Sequence, residues 1–203
     1  AADAVTTVKI ADDAVSSAKL FATNLGRRNL IINGNMNIAQ RATSATNVGA
    51  VGNAGTYNAQ DRWNFFEYGS TSARWTQSVS TDVPASSTHT SSLKLDCTTA
   101  SGTVAAGNRQ QVMQIIEAQD LQHLRYGSAA AKKITLSFWV KSSVTGKNYC
   151  WLYHNDGVRF SYKSYTVNSA NTWEHKTITF TGDTASAITN DNGAGLNVIW
   201  MLY

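Results

Sequence analysis

Ile134-Thr135-Leu136-Ser137-Phe138-Trp139-Val140 alternates apolar and polar side chains, and fifteen positions after its first residue Tyr149-Cys150-Trp151-Leu152-Tyr153-His154 alternates again. A period of two is the signature of a pleated strand with unlike faces. In the first segment Ile134, Leu136, Phe138 and Val140 form the core face, which turns Trp139 outward beside Thr135, Ser137 and Lys141. In the second, Tyr149, Trp151 and Tyr153 share one face and Cys150, Leu152 and His154 the other. A two-layer sandwich covers only one of these faces, so one aromatic or mixed face is left as a surface.

Working outward, seven more strand candidates fall at 63–68, 73–79, 93–97, 111–116, 158–165, 173–180 and 196–203, separated by Gly, Asn, Asp and Ser clusters. The expected fold is all-β, a jelly-roll-like β-sandwich, with a short helical turn at 117–125 where Ile116, Leu121 and Leu124 form an apolar stripe. Asn33-Gly34 between two apolar runs is a turn signal, and residues 42–56, lacking large apolar groups, read as an exposed loop. The last strand runs to Tyr203 with no turn behind it, so the expectation is a truncated C-terminus with a further strand or two beyond.

The opening of the chain is different in kind. Residues 2–11 and 12–21 are one ten-residue phrase written twice, with Asp3, Ala4, Val5, Lys9 and Ile10 returning as Asp13, Ala14, Val15, Lys19 and Leu20. Ordering such a unit costs roughly 1 to 2 kcal/mol per residue in backbone entropy, more than its few apolar side chains recover alone. Two copies also fall short of the roughly three that stacked repeats need. The expected partners are identical segments of other chains, giving an intertwined trimeric stalk with Val5, Val8, Ile10, Val15 and Leu20 at its contacts; a frayed tail is the alternative. The expected division is therefore a repeat stalk and hinge at 1–28 and a β-sandwich domain at 29–203.

Composition narrows the function. The net charge of +4 is spread over 17 basic and 13 acidic residues, and only Arg27-Arg28 and Lys132-Lys133 place two bases together, too thin a footprint for nucleic acid. No apolar run approaches the roughly 18 residues of a membrane helix, and the first residues lack the pattern of a secretory signal. Cys97 and Cys150 lie far apart in strand-like surroundings and read as two buried free thiols, consistent with synthesis in a reducing cytoplasm.

The run Asn29-Leu30-Ile31-Ile32-Asn33-Gly34-Asn35-Met36-Asn37-Ile38-Ala39-Gln40-Arg41, followed after a loop by Asp61-Arg62-Trp63, resembles the opening of receptor-binding or distal domains of bacteriophage tail fibres, especially those of marine phages. The decapeptide phrase is similar to the shaft repeats of the same proteins. Residues 136–142, 171–180 and 182–184 resemble strands of jelly-roll carbohydrate-binding modules found in that setting. Ala42 stands where the family has Gly, and Gln60 where Ala often precedes Asp-Arg-Trp. The resemblance implies a homotrimeric virion component, located in the tail fibre, that works with other phage tail proteins and contacts a host-surface polysaccharide. Two alternatives stay open: a carbohydrate-binding module accompanying an enzyme, and a purely structural fibre or adaptor.

The residues themselves nominate a glycan site and a clamp. Pyranose faces stack on aromatic rings, so Trp139, Tyr149, Trp151 and Tyr153 are the candidate platform, with Asn155, Asp156 and Arg159 as neighbouring polar groups; packing between subunits is the competing use of the same rings. Arg41 or Arg62 pairing with Asp61, beside Trp63, is the expected structural clamp. Asp183, Asn190, Asp191, Asn192 and Gly193 offer oxygens to a structural calcium, yet Asn-Asp-Asn-Gly is first a turn sequence, and no cofactor is expected. His89, His123, His154 and His175 show no paired metal spacing. Glu67, Asp96, Asp156, Glu174 and Asp191 are available as carboxylates, but nothing in the spacing pairs them for glycoside cleavage, so the chain is expected not to be an enzyme.

Overall fold

The computed structural model describes residues 29–49, 55–69, 72–85, 87–102 and 104–202. The expected stalk contacts at Val5, Val8, Ile10, Val15 and Leu20 lie outside the described residues. The chain divides between Leu30 and Ile31 into two units, and the described strands all belong to the second, Ile31–Tyr203.

Eleven strands are found among the described residues: β1 (Ser44–Val48), β2 (Gly55–Tyr57), β3 (Asn64–Tyr68), β4 (Arg74–Ser80), β5 (Ser92–Thr99), β6 (Arg109–Glu117), β7 (Ile134–Val140), β8 (Gly146–His154), β9 (Arg159–Val167), β10 (Glu174–Phe180) and β11 (Ala194–Met201). All pair antiparallel. A six-stranded sheet runs β2-β3-β6-β11-β8-β9; a three-stranded sheet β1-β4-β5 and a two-stranded sheet β10-β7 provide the packing against it. The protein is all-β, and the sheets stay open.

Alternation explains the core. Val112, Ile116, Leu196, Val198, Cys150 and Leu152 share the inner face of the six-stranded sheet by register and are all buried. Phe138 of β7 meets Trp200 and Tyr165 edge-on at 5.6 and 5.1 Å, and Trp75, Leu93 and Leu95 of β4 and β5 pack on the cluster of Val48, Trp63, Phe65 and Val112. A fully buried large side chain such as Phe65 or Leu196 contributes about 1.5–3 kcal/mol, and the partly buried Trp75, Leu93 and Leu95 contribute less. A 3-10 helix, Ala118–Leu124, buries Ala118, Leu121 and Leu124, close to the helical turn read from the sequence. It approaches β11 at Gly195, where a Cβ would lie 2.7 Å from Ala118 Cα, so any larger residue pushes the two apart.

Two expectations are corrected here. Residues 42–56 are not wholly a loop: the short edge strand β1 lies inside them and β2 begins at Gly55, paired to β4 and β3 through the backbone, with Val48 of β1 buried in the core. Cys97 is not buried. It sits near the exposed end of the edge strand β5, whereas Cys150 is buried on central β8; both thiols are free.

The core also carries an unusual amount of amide. Gln60, Gln77, Gln110 and Gln114 are buried, and each is hydrogen bonded. Gln60 Nε2 donates to the Ser78 and Ser92 carbonyls at 3.0 and 3.2 Å, linking β4 to β5 from the segment before β3. Gln114 grips Ile32 from both sides: its Nε2 donates to the Ile32 carbonyl (2.8 Å) and its Oε1 accepts the Ile32 N–H (2.7 Å). This pins residues 31–38 over the sheet.

Candidate ligand-binding groove

Strand β8 divides its side chains as the alternation requires. Cys150, Leu152 and His154 are 0%, 4% and 3% exposed, and Tyr149, Trp151 and Tyr153 face the other way. The turn 155–158 returns the chain as β9 with Tyr153 opposite Phe160 and Trp151 opposite Tyr162. On the other side, β11 sets Asn197 beside Tyr153 and Ile199 beside Trp151, and β6 sets Met113 beside Ile199. The outer face of the six-stranded sheet is thus an aromatic field carried on rigid strands.

A depression of about 180 Å3 opens in this face. Met113 and Ile199, both buried, make its floor. Trp151, Tyr153 and Phe160 wall one side and Phe66 the other, with the amides of Gln111 and Asn197 between and Arg109 at one end. Phe160 stacks on Tyr153 (centroids 4.4 Å, 21° between planes) and meets Trp151 edge-on at 5.6 Å, yet it remains 53% exposed. Tyr162 and Tyr149 beside it are exposed as well. The volume is small for an enclosed pocket, which runs to roughly 300–1,000 Å3. The shape suits a ligand laid across the sheet.

Polar groups in the groove are held in place. Arg109 lies over the Tyr68 ring, 4.3 Å from guanidinium carbon to centroid, and its Nε donates to Gln111 Oε1 at 3.2 Å. Asn155 Nδ2 donates to Asn197 Oδ1 at 3.0 Å.

The structure separates the sequence candidates. Tyr149, Trp151 and Tyr153 stand together on the outer face, and Asn155 reaches the groove through Asn197. Trp139 does not join them: it lies on the two-stranded sheet with its ring 5.1 Å from His175. Arg159 has the opposite strand parity to Phe160 and turns away, where its Nε pairs with Asp183 at 2.9 Å. Asp183 also accepts the Ala185 N–H and contacts His154 Nδ1 at 3.1 Å. Burial opposes its ionisation, but these hydrogen bonds and the Arg159 charge outweigh it and hold the carboxyl below the ordinary carboxylate range. Asp156 is a turn support, accepting the Thr189 N–H (3.0 Å) and hydroxyl (3.2 Å).

At the clamp, Arg41 Nη1 meets Asp61 Oδ1 at 3.3 Å, with Arg41 59% exposed; such a pair is worth roughly 0–1 kcal/mol. Arg62 occupies the turn at φ 74°. The firmer anchor is Trp63, buried, whose indole N–H donates to the Asn33 carbonyl at 3.0 Å. Asp191 accepts the Gly193 N–H and shares the Thr189 hydroxyl with Asp156, the hydrogen bonds of a turn, while Asp183 serves a different cluster. Among the described residues no three metal-ligating side chains gather.

Phe66, Arg109, Gln111, Phe160 and Asn197 were not singled out in the sequence. Hairpin parity offered a signal for one of them, since a four-residue turn after His154 sets Phe160 across from Tyr153. Arg109 and Phe66 arrive through long-range pairing of β3 with β6, which no local pattern announces.

No protein-family model matches the chain, and no curated protein matches it. Among solved structures it is similar to a crystal structure of the enzymatically active domain of tailspike protein 4 of bacteriophage CBA120, at 15% identity and a TM-score of 0.41. That match covers 69% of this chain and 18% of the other.

Proposed function

We propose that this chain is a tail-fibre component of a phage virion, a homotrimer whose jelly-roll-like head recognises host-surface polysaccharide through the outer groove of the six-stranded sheet, without catalysing its cleavage. The phage setting is supported by the run 29–41 with Asp61-Arg62-Trp63 and by the decapeptide phrase. The glycan reading is carried by one observation: Trp151, Tyr153 and Phe160 present clustered rings on an open sheet face, with the Gln111 and Asn197 amides alongside. Flat apolar rings meet the C–H faces of pyranoses, and amides meet their hydroxyls. The lining is aromatic and amide in character, the chemistry of sugar recognition.

Titration calorimetry of the full chain against isolated bacterial surface polysaccharides tests this. The expected result is binding that Trp151→Ala and Tyr153→Ala each weaken by about 1–3 kcal/mol. Binding indifferent to both substitutions removes the groove from recognition. A second reading, a structural fibre or adaptor, is favoured by the exposure of Phe160 and Tyr162, which also suits an interface. An accompanying carbohydrate-binding module instead predicts the same binding from a monomer.

A further inference from the structure

We infer that the groove is built for an acidic polysaccharide, a chain containing uronic-acid rings, and that Arg109 reads the carboxylate; this rests on the glycan reading of the groove. The lining holds one cation and no anion. Acidic groups near the sheet have partners of their own: Glu67 is buried on the inner face and accepts from Gln110, Asp156 and Asp191 hold Thr189, Asp183 holds Arg159, and Glu117, on the outer face at the opposite end of β6 from Arg109, accepts from Gln119. Among the described residues Arg109 has no carboxylate partner.

Arg109 is also preorganised. The Tyr68 ring supports one face of the guanidinium and Gln111 engages its Nε, so the side chain is spared much of the rotamer entropy that a free arginine loses on binding. Its terminal nitrogens make no hydrogen bond to any described residue, and they are the donors whose fork matches a carboxylate. A neutral sugar needs no such group. Within the groove a lone unneutralised guanidinium is the feature that discriminates.

The geometry also places both contacts within reach of one ligand. Arg109 and Trp151 are two strand spacings apart across the sheet and four residues apart along it, on the order of 15 Å between backbones, and their long side chains line the same depression. A saccharide stacked on Trp151 and Phe160 delivers a carboxylate, on the same or the adjoining ring, to Arg109.

The test uses the full chain and two forms of one polymer: oligogalacturonate, and the same oligomers with their carboxyls reduced to alcohols. The expected result is roughly 10- to 100-fold tighter binding of the acidic form, the range of a charge-assisted hydrogen-bonded pair, a preference that shrinks as salt is raised. Arg109→Gln should erase that difference between polymers, and Arg109→Lys should restore only part of it, since an ammonium cannot grip bidentately. Trp151→Ala should weaken both polymers. If the wild type binds acidic and reduced forms equally, or Arg109→Gln keeps the preference, the acidic assignment is overturned while the Trp151 dependence still supports glycan binding. If neither polymer binds, the acidic assignment falls, and the surface-polysaccharide titration above decides the broader reading separately. Capture of a sulfated polymer in preference to the carboxylated one overturns the carboxylate as the group read.

Discussion

Val158 closes the β8–β9 turn with φ 49°, a left-handed backbone that crowds a β-branched side chain against its own carbonyl. Its side chain is 70% exposed, so no packing offsets the strain. Asparagine tolerates this region far better, and Val158→Asn should raise unfolding stability by about 1 kcal/mol. Urea denaturation reads the change; a midpoint at or below wild type would show that the turn is relaxed as it stands. Because Val158 does not line the groove, glycan affinity should stay put. The two cysteines differ at the same scale. Burial pushes the Cys150 thiol well up, whereas Cys97 sits on an exposed strand end. A thiol reagent at neutral pH should therefore label one sulfur in the native protein and two in denaturant, with peptide mapping placing the first label on Cys97.

Elements here are fastened by polar side chains as much as by greasy ones. Gln114 supplies both hydrogen bonds that hold the Ile32 backbone, so Gln114→Leu, close in volume, strands an N–H and a carbonyl and should cost about 2–4 kcal/mol. Urea unfolding monitored by tryptophan fluorescence would report it, and a cost under about 0.5 kcal/mol would mean residues 31–38 dock by other contacts. At the start of β10, Glu174 is bonded to Lys176, to the Ser169 and Asn168 N–H groups and to the Asn168 amide, and its pKa falls from 4.5 to about 2. A depressed carboxyl stabilises the fold above its unfolded pKa and loses that contribution as it protonates. Stability should therefore decline between about pH 4.5 and about pH 2, and Glu174→Gln should flatten that part of the pH profile in thermal melts. Legibility in the sequence obeys the same division between greasy and polar fastening. Strands whose large apolar residues alternate, β7 and β8 above all, were legible with their faces, and so was the aromatic platform on β8. The edge strands β1 and β2 were not, because Ser, Ala, Thr, Asn and Gly carry no periodic signal and the one large apolar anchor of β1, Val48, stands alone at its end. The separation of Trp139 from the β8 rings was not legible, because its outward face could be read but the sheet to which β7 belongs could not. Arg159 is close to Tyr153 in sequence, yet strand parity turns it toward Asp183, and the guanidinium that reaches the groove, Arg109, comes from a strand distant along the chain.

Whole-molecule behaviour turns on two surfaces that compete for the same explanation. The decapeptide phrase has too little apolar surface to order alone, which argues for association through residues 2–21. The outer aromatic face is also an exposed apolar patch, and such patches often mark subunit contacts. If the repeats assemble the protein and the groove binds glycan, the two are separable. Light scattering on the full chain at micromolar concentration should then give three times the chain mass, and Trp151→Ala, Phe160→Ala or saturating oligosaccharide should leave that mass unchanged. Replacing Val5, Val8, Val15 and Leu20 together by Asp should instead release monomers that keep the β-sheet circular dichroism of the head. A wild-type monomer would remove the stalk from the account. A trimer that dissociates on Trp151→Ala or on adding sugar would assign the aromatic face to the interface, and the rings that look poised for a polysaccharide would be those that hold the copies together.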